Sequence, residues 1–122
     1  MLAYVTVGTA DMEKAKAFYS ELFTELGAKL LMDLGRLAAF GTDAGGAMFS
    51  VCIPYNEGEP DPGNGNMVSI AGGSREMVDK LYAKALALGG TDEGAPGERM
   101  DGFYGGYFRD PDGNKICFCH FG

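Results

Sequence analysis

The sequence predicts an α+β domain made of two βαβββ modules. Three observations predict it. Twenty glycines cut the 122 residues into short periodic segments. The stretch YVTVGTADMEKAKAFYSELF from Tyr4 lies over MVSIAGGSREMVDKLYAKAL from Met67 at a constant shift of 63, without a gap. Each stretch then passes from the two-residue period of a strand to the helical period.

The elements follow in order. Tyr4–Val7 and Met67–Ile70 are β-prone and open the two copies. Asp11 and Ser74 are the helix N-caps, because a short side-chain oxygen there can accept a backbone N–H of the first turn. The first helix carries its apolar stripe on Met12, Ala15, Tyr19, Leu22 and Leu26; the second carries it on Val78, Leu81, Tyr82, Ala85 and Leu88. Gly27 and the pair Gly89-Gly90 end the helices, where a left-handed residue is wanted. Three short strands are expected after each helix, about Lys29–Met32, Arg36–Gly41 and Ala47–Ile53 in the first copy. In the second copy only Gly105–Arg109 and Lys115–Phe121 can be placed. EGAPGERMDGFYGGYF, before and into them, reads as a glycine-rich loop that can approach a ligand.

The turns TDAGG and DPDGN precede the two final strands. Matching Asp43 to Asp110 raises the shift to 67 and pairs Ser50 with Cys117 and Cys52 with Cys119. NEGEPDPGNGN reads as a linker. The expected division is a single domain, 1–122, with module 1 about 1–55, a linker about 56–64 and module 2 about 65–122.

A net charge of −7, with ten Lys and Arg spread along the chain, argues against nucleic acid as a partner, since phosphate binding needs a clustered basic face. No apolar run is long enough to span a bilayer, and no basic, then apolar N-terminal segment suggests a signal peptide. Three cysteines, an odd number, suit a reduced cytoplasmic protein.

The segments VTVGTADMEKAKAFY, GGTDEGAPGERM and GFYGGYFRDPDGNKI, in this order on a βαβββ repeat, resemble the glyoxalase/bleomycin-resistance/dioxygenase superfamily, the vicinal oxygen chelate proteins. The resemblance implies two modules enclosing a cleft, with one divalent metal held by His or Glu from the first and last strands of each module. The matching positions are Tyr4, Met67, Ser50 and Cys117. None is His, Asp or Glu, so the set suits neither a hard divalent ion nor a lyase or dioxygenase metal. The chain is similar to a glyoxalase-like branch without the usual ligands, and no cofactor is expected.

The expected function is therefore metal-independent binding of a small organic molecule. Tyr4, Ser50, Cys52, Met67, Cys117 and Cys119 would line the cleft, with Arg99 and Tyr104 at its rim. Arg99 would hold a carboxylate or phosphate through two parallel hydrogen bonds, or would pair with Glu98 or Asp101 as a surface arginine. No catalytic residue is assigned. The alternatives are a metal-dependent lyase, isomerase or dioxygenase with unrecognised ligands, and a redox or soft-metal protein working through Cys117 and Cys119. His120, on the opposite face of the same strand, is expected to pack on the sheet. Arg109 is expected to brace the DPDGN turn. A homodimer is the expected assembly, by resemblance and because it would protect sheet edges.

Overall fold

In the computed structural model, which describes residues Met1–Gly122, the chain divides into two compact units, Met1–Pro62 and Gly63–Gly122. The first contains β1 (Tyr4–Gly8), α1 (Met12–Leu22), a 3₁₀ turn (Phe23–Leu26), β2 (Lys29–Asp33), β3 (Leu37–Gly41) and β4 (Met48–Cys52). The second contains β5 (Val68–Ala71), α2 (Arg75–Ala87), β6 (Thr91–Met100), β7 (Phe103–Arg109) and β8 (Lys115–Phe121). Both sheets have one plan: the orders are β1-β4-β3-β2 and β5-β8-β7-β6. In each, the first strand runs parallel to the last and the other pairs are antiparallel. The fold is α+β, two βαβββ modules, as the repeat predicts.

The helices start where their caps require. Asp11 Oδ1 accepts from Lys14 N at 3.1 Å, and Ser74 Oγ accepts from Met77 N at 3.0 Å. Gly27, at φ 68°, ends the first helical segment in the left-handed region. The buried face of α1 is Ala15, Phe18, Tyr19 and Leu22, whereas Met12 and Leu26 of the expected stripe are only half-buried. Tyr19 meets Phe49 at 4.7 Å between ring centroids and Phe23 at 5.3 Å, and Phe23 meets Phe40 at 5.7 Å. α2 is anchored by aliphatic residues instead, Val78, Leu81 and Ala85. Tyr82 and Leu88 are half-buried, and the Tyr82 hydroxyl reaches out to Asp92 Oδ1 at 2.6 Å. Each fully buried large apolar side chain contributes about 1.5–3 kcal/mol by leaving water.

The principal correction concerns the segment expected to be a loop. Thr91–Met100 is the strand β6, joined to β7 by Asp101-Gly102, with Gly102 at φ 78°. Its pairing with β7 shifts register three times, between Asp92 and Gly94, Gly94 and Gly97, and Glu98 and Met100. Glycine and Pro96 conceal the strand in sequence. They are tolerated because β6 is an edge strand, where a missing N–H breaks no ladder on the outer side. A smaller correction is that Met67 precedes β5 rather than belonging to it.

Arg109 braces the DPDGN turn as expected, donating to Gly113 O at 3.0 Å and, through Nε, to Glu93 at 2.8 Å. Asp110 Oδ1 accepts from the backbone N–H of Asp112 and of Asn114, both at 2.9 Å. That turn delivers the chain into β8 in a fixed register.

Candidate functional site

Each sheet has a face towards its helix and a face turned away. Phe40 and Phe49 touch the aromatic rings of α1 and its 3₁₀ turn, so they mark the helix side of the first sheet. Strand alternation then sends Met48, Ser50 and Cys52 to the other face. In the second sheet Tyr104 donates to Asp79 Oδ1 of α2 at 2.6 Å, and Phe108 stacks on Phe118. Tyr107, Cys117 and Cys119 therefore lie on the face away from α2, with Tyr107 registered opposite Cys117 and Gly105 opposite Cys119.

On that face of the second module the polar groups are satisfied by one another. Ser69, paired in register with Cys117, donates its hydroxyl to Cys119 Sγ at 3.2 Å. Burial pushes the Cys117 thiol above its ordinary pKa; hydrogen bonding to Ser69 and Tyr107 pulls the other way without cancelling it. Burial also raises Tyr107, and its neighbour Cys117 adds to the rise. Both groups are thus neutral near pH 7, and Cys117 is not a ready thiolate nucleophile. The Tyr107 phenol lies across Gly105, where an added Cβ would stand 3.1 Å from Tyr107 Oη. Arg99 folds back over the same ring, Cζ 5.2 Å from its centroid, and donates to Ala95 O at 2.6 Å. Lys115 Nζ is 5.7 Å from the same centroid.

The equivalent face of the first module is plainer. Ser50 stands beside Thr6 on β1 and Ala39 on β3. Its hydroxyl is fully buried without a hydrogen-bond partner. Leaving a buried hydroxyl unmatched costs about 1–3 kcal/mol, so this position is a local defect in an apolar surface.

The expected site residues divide between the faces. Cys117 and Cys119 lie together with Ser69 and Tyr107; Ser50 and Cys52 share the corresponding face of the first module. Tyr4, 55% exposed, pairs with Met48, and Met67 is exposed before β5. Tyr104 is on the helix face, its hydroxyl engaged by Asp79, opposite to Arg99. Arg99 pairs with neither Glu98 nor Asp101: Glu98 meets Arg75, at 3.6 Å. His120, opposite Tyr104, is on the helix side as alternation requires.

The donors at the implied metal positions do not fit a divalent ion. Tyr4 and Met67 are exposed, Ser50 is a neutral hydroxyl, and Cys117 holds its proton through burial. Nowhere in the chain do three or more His, Cys, Asp or Glu gather in a group that could hold a metal.

Thr6 and Ser69, the register partners of Ser50 and Cys117, were missed in sequence, as were Tyr107 and Lys115. A signal for the first two was present: YVTV and MVSI both place a hydroxyl at their third position. Tyr107 needed the register between β7 and β8, which pairs it with Cys117.

Comparison with known proteins accords with this architecture. Residues 1–118 match the family model of the Glyoxalase/Bleomycin resistance protein/Dioxygenase superfamily. Among curated proteins nothing matches. A glyoxalase/bleomycin resistance protein from Albidiferax ferrireducens is 37% identical, with 98% of each chain covered and a TM-score of 0.89. A glyoxalase/bleomycin resistance protein/dioxygenase family enzyme from Burkholderia phytofirmans shares the fold at 21% identity, with 98% of this chain and 97% of that chain covered and a TM-score of 0.78. A lactoylglutathione lyase from Agrobacterium tumefaciens shares it at 22% identity, over 98% and 92% of the two chains, with a TM-score of 0.71. With a family match over nearly its whole length and one relative above a third identical, the chain belongs to the glyoxalase/bleomycin resistance protein/dioxygenase superfamily.

Proposed function

We propose that this chain binds a small organic molecule, without a metal, on the sheet faces turned away from its helices. The observation that carries the reading is the second-module face, where Ser69, Tyr107, Cys117 and Cys119 form a neutral, hydrogen-bonded surface around a buried thiol. Small-molecule sites are mostly apolar surfaces with a few placed polar groups, and this surface has that composition. Ser50, Cys52, Tyr4 and Met67 are proposed as further contacts of the ligand, and Arg99 as its polar anchor. The Tyr104 hydroxyl is committed to Asp79, which favours Tyr107 as the phenolic donor. Binding without turnover is the preferred form; a metal-dependent lyase, isomerase or dioxygenase is the alternative.

The chain is further proposed to work in the cytoplasm as a homodimer. Leu30, Leu31, Met32 and Leu34, on and just after the edge strand β2, are each 38–67% exposed and support an edge covered by a second copy. No helix is long and apolar enough to cross a membrane.

The test is metal analysis by plasma mass spectrometry on untagged protein purified without chelators, followed by a thermal-shift screen of small molecules. The expected result is no stoichiometric metal, even after reconstitution, and a set of ligands that raise Tm in proportion to ln(1 + [L]/Kd). About one equivalent of Ni, Zn, Fe or Mn per chain would overturn metal independence and direct work to lyase and dioxygenase assays. A copper or zinc content lost in Cys117→Ser would move the assignment to the thiols.

A further inference from the structure

The second module places two cations over one tyrosine ring. The chain has ten Lys and Arg against seventeen Asp and Glu, so a cation here has carboxylates in plenty. Lys16, Lys29, Arg75 and Arg109 all take one. Arg99 and Lys115 take none, as is also true of Lys14 and of Arg36, which lies over Tyr55 at 5.3 Å; what sets Arg99 and Lys115 apart is that they share one ring. They stand over the same ring, at 5.2 Å and 5.7 Å from the Tyr107 centroid. The acids nearest in sequence to Arg99 on β6 are turned to other cations, Glu98 to Arg75 and Glu93 to Arg109.

The arrangement depends on glycine. A Cβ at Gly97 would lie 2.8 Å from Arg99 Nη1, and one at Gly94 would lie 3.4 Å from Arg99 Nη2 and 3.3 Å from Tyr107 Cδ2. With Gly105 beneath the phenol, three residues without side chains make the bed on which the ring and the guanidinium rest. The bond from Arg99 Nη2 to Ala95 O fixes the guanidinium while using one of its five N–H donors. The remaining donors, next to a desolvated ring that Lys115 also approaches, suit a planar or tetrahedral anion.

We infer that Arg99 and Lys115, carried on Tyr107, form an anion subsite, so that the ligand of this face is a small organic acid bearing a carboxylate or phosphate group. The inference rests on the small-molecule reading above and narrows it. The acid group sits at Arg99 and Lys115, and the uncharged body lies along Ser69, Cys117 and Cys119.

The experiment is an amide NMR titration of the whole chain with benzoate, phenyl phosphate and benzamide. Benzoate or phenyl phosphate is expected to shift Gly105, Tyr107 and Cys117, and to bind at least about tenfold more tightly than benzamide, as charge-assisted hydrogen bonds imply. The stronger of the two names the acid group. Arg99→Gln and Lys115→Gln should each remove most of that advantage while leaving the first-module spectrum unchanged. Arg99→Lys should restore part of it. Benzamide binding as tightly as the acids would overturn the subsite and leave the binding face standing. Acid binding that survives Arg99→Gln, or acid-induced shifts lying elsewhere, would overturn it too. Absence of shifts on this face from every probe would overturn both readings.

Discussion

The two modules share one topology and differ in nearly everything chemical. The first is held by tilted and edge-on ring contacts among Tyr19, Phe23, Phe40 and Phe49, and the sheet face away from its helix carries one unmatched hydroxyl, that of Ser50. The second is held by Val78, Leu81 and Ala85 on the side of Phe108 and Phe118, and the face away from α2 carries matched hydroxyl, phenol and thiol groups with two cations nearby. The lesson is that the repeat keeps what closes the sheet and leaves the face away from the helix free to vary. The parallel pairing of first and last strands recurs residue for residue, Thr6 with Ser50 and Ser69 with Cys117. The side chains at those positions are where chemistry diverges.

The largest test of this contrast is in the cores. Phe40→Ala should cost about 3–5 kcal/mol in urea unfolding, with faster hydrogen exchange in β3 and β4 before β7 and β8. Equal acceleration in both sheets would show that the modules do not hold separate cores. Next comes the glycine bed. Gly105→Ala should cost about 1–3 kcal/mol, because the new methyl displaces Tyr107 and Phe103, both 3.1 Å from its site. The change should appear in the tyrosine near-ultraviolet spectrum, and an unaltered spectrum would remove the ring from that position.

The hydroxyls offer a smaller test, in which the sign matters more than the size. Ser50→Ala should leave stability unchanged or raise it by about 1 kcal/mol, since it deletes an unmatched buried group. Ser69→Ala should lower stability by about 0.5–1.5 kcal/mol, since it removes the donor to Cys119. The same sign for both would erase the distinction between the faces.

The smallest effect is that of pH on the second module. The raised folded-state pKa of Cys117 means that the unfolded chain loses its proton first as pH rises. Its contribution is therefore fully present below the ordinary thiol pKa and declines from about pH 8.5 upward until the folded pKa is passed. Cys117→Ala should flatten that decline in stability measured between neutral and alkaline pH. Iodoacetamide should also label Cys117 more slowly at pH 7 than a free thiol.

Much of the fold was legible in the sequence for local reasons. Caps at Asp11 and Ser74, the stop at Gly27 and the strand Lys115–Phe121 all rest on short-range chemistry. β6 was not legible, because a strand that bulges three times and contains Gly94, Pro96 and Gly97 loses its alternation. The site was half legible. Cys117 and Cys119 follow from alternation along one strand, whereas the choice between Tyr104 and Tyr107 depends on the register of β7 against β8 and on which face α2 covers. Lys115 joins the site only because the DPDGN turn sets the start of β8.

The placement of the last strand inside each sheet has a consequence for synthesis. β4 sits between β1 and β3, and β8 between β5 and β7. A nascent module therefore exposes two flanking strands that have no common neighbour until its final strand leaves the ribosome. The first module can close once Cys52 has emerged, while the second must wait for residues 115–121. Vectorial folding would then complete the first module before the module that carries Cys117 and Cys119, and a ribosome paused before Lys115 would hold one finished sheet and one open one.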